Sequence, residues 1–256
     1  MGVTPGLRRD RGMTAGGSAP PGPSVEPGRS ALLLAGGRSR RLGEEKPFVD
    51  IGGRSVLERV LAATASIDDV VLSVRDPAPF EAALGRQGWR RPGPAVGRSG
   101  PGDAGLVRGT RRIRLLADPE PDRGPLVALA GGLAAARGTL AIVLSVDLPF
   151  VTAELVDRLS AELAADSTAD ACVPVIGGRA QWLCAAYRTR LAPVAAEWVR
   201  EAGGEGGVGA FVDRLALRRL DEAELAVTGD PAALTRDIDT PADLAWARTR
   251  AVEEDA

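Results

Sequence analysis

The chain has 256 residues, with 32 Lys and Arg against 34 Asp and Glu, a formal net charge of −2, no histidine and two cysteines. That length fits one sizeable α/β domain or two small ones, and the balanced charge provides no global field for nucleic acid or an acidic membrane surface. The lack of histidine excludes Ser-His-Asp and Cys-His catalysis and any His-ligated metal; two cysteines, Cys172 and Cys184, build neither a disulfide framework nor a four-ligand zinc site. An active site must then come from carboxylates, Lys, Arg, hydroxyls and backbone amides, whose natural metal is a hard, oxygen-bound ion, Mg²⁺ before Zn²⁺. No apolar run approaches the ~18 residues of a membrane span. No apolar signal core follows Arg8, Arg9 and Arg11 either, so a cytoplasmic protein is expected.

Residues 1–30 are rich in Pro, Gly and Ser and read as a disordered tail, with Met13 an alternative start. A domain is expected over 31–251. It opens with Ala31–Ala35, a short apolar run before Gly36-Gly37 that reads as a buried strand ending in a turn. Ser55–Ala65 has helical spacing with Ser55 as N-cap. Val70–Val74 is a second buried strand and Pro79–Leu84 a short helix. Residues 85–109, dominated by Gly, Pro and Arg, read as a long, mobile surface excursion. Ile113–Leu116 resumes as a strand ending at Asp118, and Leu126–Arg137 is a helix with Pro125 near its first turn. Leu140–Val146 is the clearest strand, followed by Asp147-Leu148-Pro149. Ala153–Leu163 is an amphipathic helix capped by Thr152. Ala171–Ile176 and Leu183–Tyr187 read as strands around a Gly177-Gly178 turn. Helices follow over Leu191–Ala202, Gly209–Leu215 and from Thr240-Pro241 to about Ala251. Strands alternating with helices, and apolar on both faces, predict an α/β fold: a mostly parallel sheet with helices on both faces.

Ligands in such sheets bind beyond the carboxyl ends of the strands. Three predicted strand ends carry chemistry. The first is Leu34-Ala35-Gly36-Gly37, continuing through Arg41 to Lys46-Pro47. Its glycines let backbone amides approach a polyanion, while Arg41 and Lys46 add positive charge. It is not a Walker loop, and a strand-to-helix turn with solvated arginines has the same composition. The second is Asp147, either a metal ligand at a strand exit or a turn cap before Pro149. The third is Asp237-Ile238-Asp239-Thr240-Pro241-Ala242-Asp243. Capping explains Thr240, Pro241 and Asp243. It does not explain Asp237 and Asp239, whose i, i+2 spacing turns them to one side, with Asp239 a candidate second metal ligand.

Leu34-Ala35-Gly36-Gly37, then Arg41-Leu42-Gly43 and Lys46-Pro47, resembles the opening signature of the molybdenum cofactor guanylyltransferase family, the MobA-like nucleotidyltransferases. Four further segments agree in order: Ile51–Leu57, Gly124-Pro125-Leu126, Ser145–Phe150 and Asp239–Leu244. The resemblance runs from about Ala31 to Ala251. It implies a single-domain, Rossmann-like nucleotidyltransferase fold in which Leu34, Ala35, Gly36 and Gly37 contact the nucleotide and Lys46 binds phosphate. It also implies that Asp118 lies near the nucleotide, that Ser73 takes the place of a polar nucleotide contact, and that Asp147 holds Mg²⁺. The implied reaction moves GMP from GTP onto the terminal phosphate of molybdopterin and releases pyrophosphate. The expected catalytic set is Lys46, Arg41 and Asp147; the metal ligands are Asp147, from the resemblance, and Asp239, from the spacing read above. Leu-Ala-Gly-Gly resembles the guanine-selective branch. A related cytidylyltransferase or other small-molecule nucleotidyltransferase, and a non-catalytic nucleotide-binding protein, are the alternatives. The sequence departs from the family at 85–109 and at Gln181-Trp182-Leu183, on the acceptor side, where Trp182 is a core aromatic or a pterin-stacking surface.

Overall fold

The computed structural model describes residues 28–36, 45–92, 105–118, 123–201 and 207–254. In chain order the elements are β1 (Arg29–Leu34), β2 (Asp50–Ile51), β3 (Arg54–Ser55), α1 (Val56–Ala63), β4 (Asp69–Val74), α2 (Pro77–Arg86), β5 (Leu106–Arg108), β6 (Arg111–Ala117) and α3 (Pro125–Ala135). They continue with β7 (Leu140–Ser145), α4 (Ala153–Ala165), β8 (Ala171–Ile176), β9 (Arg179–Ala180), β10 (Cys184–Arg188), α5 (Ala192–Glu201) and α6 (Gly207–Val212). The chain ends with β11 (Leu217–Leu220), α7 (Glu222–Leu225), α8 (Pro231–Leu234) and α9 (Pro241–Glu254).

The main sheet has the order β11-β8-β10-β7-β1-β4-β6-β5, with β9 paired to β8. Its centre, β7-β1-β4-β6, is parallel, as the continuous apolar runs predict. Strand β10 lies antiparallel between β7 and β8, and β5 runs antiparallel to β6. Strand β1 lies between β4 on one side and β7 on the other, so the chain leaves β1 in one direction and returns on its opposite flank. That reversal opens a crevice at the carboxyl ends of β1 and β7.

The two faces of the sheet bury separate cores. Ala31 and Leu33 pack with α1 and α4 residues, such as Val60 and Leu159, while Leu32 and Leu34 pack with Leu129 and Leu133 of α3. Helix α1 starts where Ser55 and Glu58 form a complete capping box. Helix α4 starts where the Thr152 hydroxyl accepts from the Leu155 amide. Both cysteines are buried, and burial pushes their thiols up to about 12, so they are inert core residues.

Helix α3 approaches β1 closely at Gly132, where a Cβ would run into both methyl groups of Leu32, a residue with no exposure of its own. Leu32 has no solvent to move into, so overpacking should cost about 1–3 kcal/mol. Gly132→Ala is therefore expected to lower the midpoint of denaturant unfolding at unchanged slope.

Strand β1 begins two residues before the apolar run. Its entry is held by polar contacts: the Ser30 hydroxyl donates to Asp69 (2.6 Å) and accepts from the Gly138 amide (2.9 Å). The predicted surface excursion over 85–109 needs correction at both ends. Trp89 is buried beneath the Arg111 guanidinium, and Arg90 bridges to Val107 ahead of the β5–β6 hairpin. Residues 93–104 and 1–27 lie outside the described residues. The short β2–β3 ribbon, β5, β9, β11, α7 and α8 have no counterpart in the apolar pattern. Among the described residues, no helix is long and apolar enough to cross a membrane.

Candidate active site at the carboxyl ends of the central strands

The central strands end in register, and short backbone bonds tie their exits together. The Ala35 amide donates to Ser73 O (2.8 Å), Val146 N to Leu34 O (2.9 Å) and Asp118 N to Val74 O (2.8 Å). Leu34, Ala35, Gly36, Ser73, Asp118 and Asp147 are thereby gathered at one rim. Their positions on it differ. Leu34 and Ser73 are buried strand residues, whereas Ala35 and Gly36 stand half-exposed at the edge. A Cβ on Gly36 would lie 4.0 Å from Asp118 Oδ2, so the glycine leaves its backbone open beside that carboxylate. Gly37 and Arg41, both expected at this loop, lie outside the described residues.

Lys46 reaches the rim from a 3₁₀ turn, Lys46–Phe48, pinned by buried Pro47. Its ammonium hydrogen-bonds Asp239 and lies 3.4 Å from Asp147 Oδ2. Burial works to lower its pKa. The bond to Asp239 and the charges of Asp147 and Asp239 outweigh that, and the net shift is upward.

The carboxylates arrive from two directions. Asp147 follows β7 directly, and its carbonyl accepts from Ile238 N at 3.0 Å. Buried Ile238 thus pegs the C-terminal segment to the strand exit and turns Asp237 and Asp239 toward Asp147. One oxygen from each of Asp147, Asp237 and Asp239 lies within 4.8 Å of the others. Directly after them, Thr240 and Asp243 exchange capping bonds at the start of α9: the Asp243 amide donates to Thr240 Oγ1 (3.2 Å) and Thr240 N to Asp243 Oδ2 (3.0 Å). Arg236 also binds Asp243 at 3.0 Å. Capping accounts for Thr240 and Asp243 and leaves the two preceding aspartates to the site.

Asp237 is the member not assigned from sequence. The D-x-D spacing was the available signal, but nothing in it distinguished Asp237 from a solvated neighbour of Asp239. Asp237 is exposed to solvent as a residue, yet partial desolvation of its carboxyl and the nearby charges of Asp239 and Asp147 push its pKa above the usual aspartate value. A carboxylate with a raised folded-state pKa disfavours folding at pH values above that pKa, and the penalty vanishes below the unfolded value. Asp237→Asn is therefore expected to raise the metal-free melting temperature at pH 7, with the difference fading on acidification below the normal aspartate range.

An open cleft of about 520 Å³ continues from Asp147 and Asp237 toward Arg179, Gln181, Trp182 and Thr235. The β8–β9 hairpin delivers Arg179, with Gly177 and Gly178 at positive φ in its turn. Trp182 packs against the core as an aromatic, as one of its two expected roles has it. Its ring packs so closely on α6 that a Cβ on Gly209 would meet Cη2 at 2.5 Å, and the residue also lines the cleft. It is a fixed wall.

The family model described as the MobA-like NTP transferase domain matches residues 31–222, three-quarters of the chain. The chain belongs to the MobA-like NTP transferase family. The molybdenum cofactor guanylyltransferase of Rhodobacter capsulatus is 31% identical over 230 residues, which cover 86% of this chain and 95% of that one. The probable molybdenum cofactor guanylyltransferase of Methanosarcina acetivorans is 36% identical over 133 residues, 51% of each chain, so the match spans about half the length of that relative. Among solved structures, the molybdopterin-guanine dinucleotide biosynthesis protein A of Archaeoglobus fulgidus superposes with a TM-score of 0.66 at 21% identity, covering 88% of this chain and 99% of that one. The 2-C-methyl-D-erythritol 4-phosphate cytidylyltransferase of Thermus thermophilus shares the fold at a TM-score of 0.55 and 21% identity, covering 89% and 100%. Within this MobA-like chain, Lys46, Asp118 and Asp147 fall inside the matched residues, whereas Asp237 and Asp239 lie beyond them.

Proposed function

We propose that this MobA-like chain is a cytoplasmic molybdenum cofactor guanylyltransferase. It moves GMP from GTP onto the terminal phosphate of molybdopterin, with Mg²⁺, and releases pyrophosphate. The observation that carries the reading is the meeting of Lys46, Asp147 and Asp239 at the β1/β7 crevice, which folding alone does not require. The likeness to the Rhodobacter capsulatus enzyme along most of both chains supports it.

The three aspartates offer only hard oxygen donors, which suit Mg²⁺ and not a soft metal. Mg²⁺ held by Asp147 and Asp239 would supply charge neutralisation at the α-phosphate. The half-exposed Ala35–Gly36 backbone, with Gly37 after it, faces the nucleotide, and Lys46 places a cation on the triphosphate. Asp118 and Ser73 flank the same rim, and Arg41 adds charge by the family resemblance. The acceptor phosphate is already anionic at neutral pH, so it needs no strong general base, and a site without histidine suffices. A phosphate oxygen of the acceptor bonds the α-phosphorus, and the bond to the bridging oxygen of pyrophosphate breaks. What the chain provides is in-line positioning and charge stabilisation. The cleft beside Asp147 and Asp237, walled by Arg179, Gln181 and Trp182, is the acceptor side.

The test is pyrophosphate release from GTP, CTP and ATP, each with Mg²⁺ and molybdenum-loaded molybdopterin. GTP should be strongly preferred. Preference for CTP would overturn the base assignment, and no product with any of the three would overturn the reaction.

A further inference from the structure

Lys46 is the only lysine in the chain; every other basic side chain is an arginine. Its ammonium bonds Asp239 and lies 3.4 Å from Asp147, drawing on two of the three carboxylates whose oxygens gather within 4.8 Å. An ammonium and a divalent cation cannot both hold those oxygens at full strength, because their charges repel and a partly buried site screens them poorly. The residue type matters here. A guanidinium grips a carboxylate with a rigid two-pronged fork, whereas an ammonium is a compact point charge on a flexible four-carbon stem. Pro47 pins the backbone beneath that stem, so the side chain can swing while the turn stays in place.

We propose that Lys46 and the divalent cation exchange places on this carboxylate cluster, with Asp237 completing the cation's set of protein ligands. Lys46 holds Asp147 and Asp239 together until the cation is taken up, and the released ammonium then turns to the triphosphate. The inference rests on the nucleotidyl-transfer reading of the same site. Its consequence is reciprocal coupling, in which the cation strengthens nucleotide binding and the nucleotide strengthens cation binding.

A full-length chain labelled with ¹³C,¹⁵N-lysine has one lysine ε-methylene signal. Mg²⁺ without nucleotide should move that signal saturably, while choline chloride at equal ionic strength should not. Mn²⁺ binding, read by electron paramagnetic resonance, should tighten about tenfold in Lys46→Met, the size of a like-charge effect at this range. It should weaken in Asp237→Asn and also in Lys46→Arg, which keeps the charge but grips the carboxylates harder. A signal unmoved by Mg²⁺ overturns the exchange. So does Lys46→Met binding Mn²⁺ no tighter than the parent, or Lys46→Arg matching the parent, which would reduce the effect to net charge. None of these readouts depends on turnover, so failure of GMP transfer would sink the functional reading separately.

Discussion

Asp147→Asn is expected to lower pyrophosphate release about a thousandfold while the protein stays folded. Asp147 stands at the exit of the buried strand β7, one residue beyond Val146, whose amide is held by Leu34 O. The side chain is therefore placed by the core. Asparagine keeps its shape, and the backbone bond from Ile238 N to the Asp147 carbonyl is untouched. What disappears is one negative charge among the three clustered aspartates, where the proposed transfer calls for a cation against the α-phosphate. Losing such transition-state stabilisation typically costs about 10²–10³ in turnover, and loss of a metal ligand lies at the upper end. On the proposed reading, nucleotide binding also draws on the Ala35–Gly36 backbone and Lys46, so the loss should fall on kcat more than on KM. Retained turnover in Asp147→Asn would remove it from the catalytic set; thermal melting should be nearly unchanged.

Lys46→Met should cost about 10²–10³ in kcat/KM, roughly 3–4 kcal/mol of transition-state binding. Unlike Asp147→Asn, it should also destabilise the metal-free fold near neutral pH, because three carboxylates lose the ammonium among them. The sign with pH follows from the raised pKa of Lys46. Its contribution to stability is fully present below the ordinary lysine value of 10.5 and is lost as pH rises through the higher folded value. From neutral pH upward, the stability gap between parent and variant should therefore hold and close only in strong alkali. Thermal melting of both proteins across that range, without metal, checks it; a gap that closes near neutrality would contradict the ion-pair account.

Much of this site was legible in the sequence because strand ends are punctuated. The run Leu140–Val146 cannot be placed anywhere but in the core, so Asp147 had to stand at an exit. Ala31–Ala35 fixed Gly36 at the same rim by the same logic. The Thr240–Asp243 capping box was equally readable, because its spacing is local, and it isolated Asp237 and Asp239 as residues that capping does not need. Three features were hidden because they depend on partners distant in the chain. Strand β10 runs antiparallel between β7 and β8, which its apolar composition does not encode. Trp89 is buried under Arg111, supplied from across the Gly- and Pro-rich segment that looked like a solvated excursion. Asp237 joins the cluster only because Ile238 hydrogen-bonds the Asp147 carbonyl, 91 positions earlier in the chain than Ile238 itself. Short elements such as the β2–β3 ribbon and α8 were missed for a related reason. They are held by local bonds, the Gly53 amide donating to Asp50 in the ribbon's turn and the Ala232 amide to Asp230 at the start of α8, and carry no periodic apolar signal.

The fate of the α-phosphate tests nucleotidyl transfer to the acceptor. With GTP labelled at that phosphate, Mg²⁺ and molybdenum-loaded molybdopterin, the label should appear in the acceptor, with one pyrophosphate released for each label transferred. Label that stays in GTP, or appears as free GMP at the same rate with and without acceptor, would contradict nucleotidyl transfer to molybdopterin.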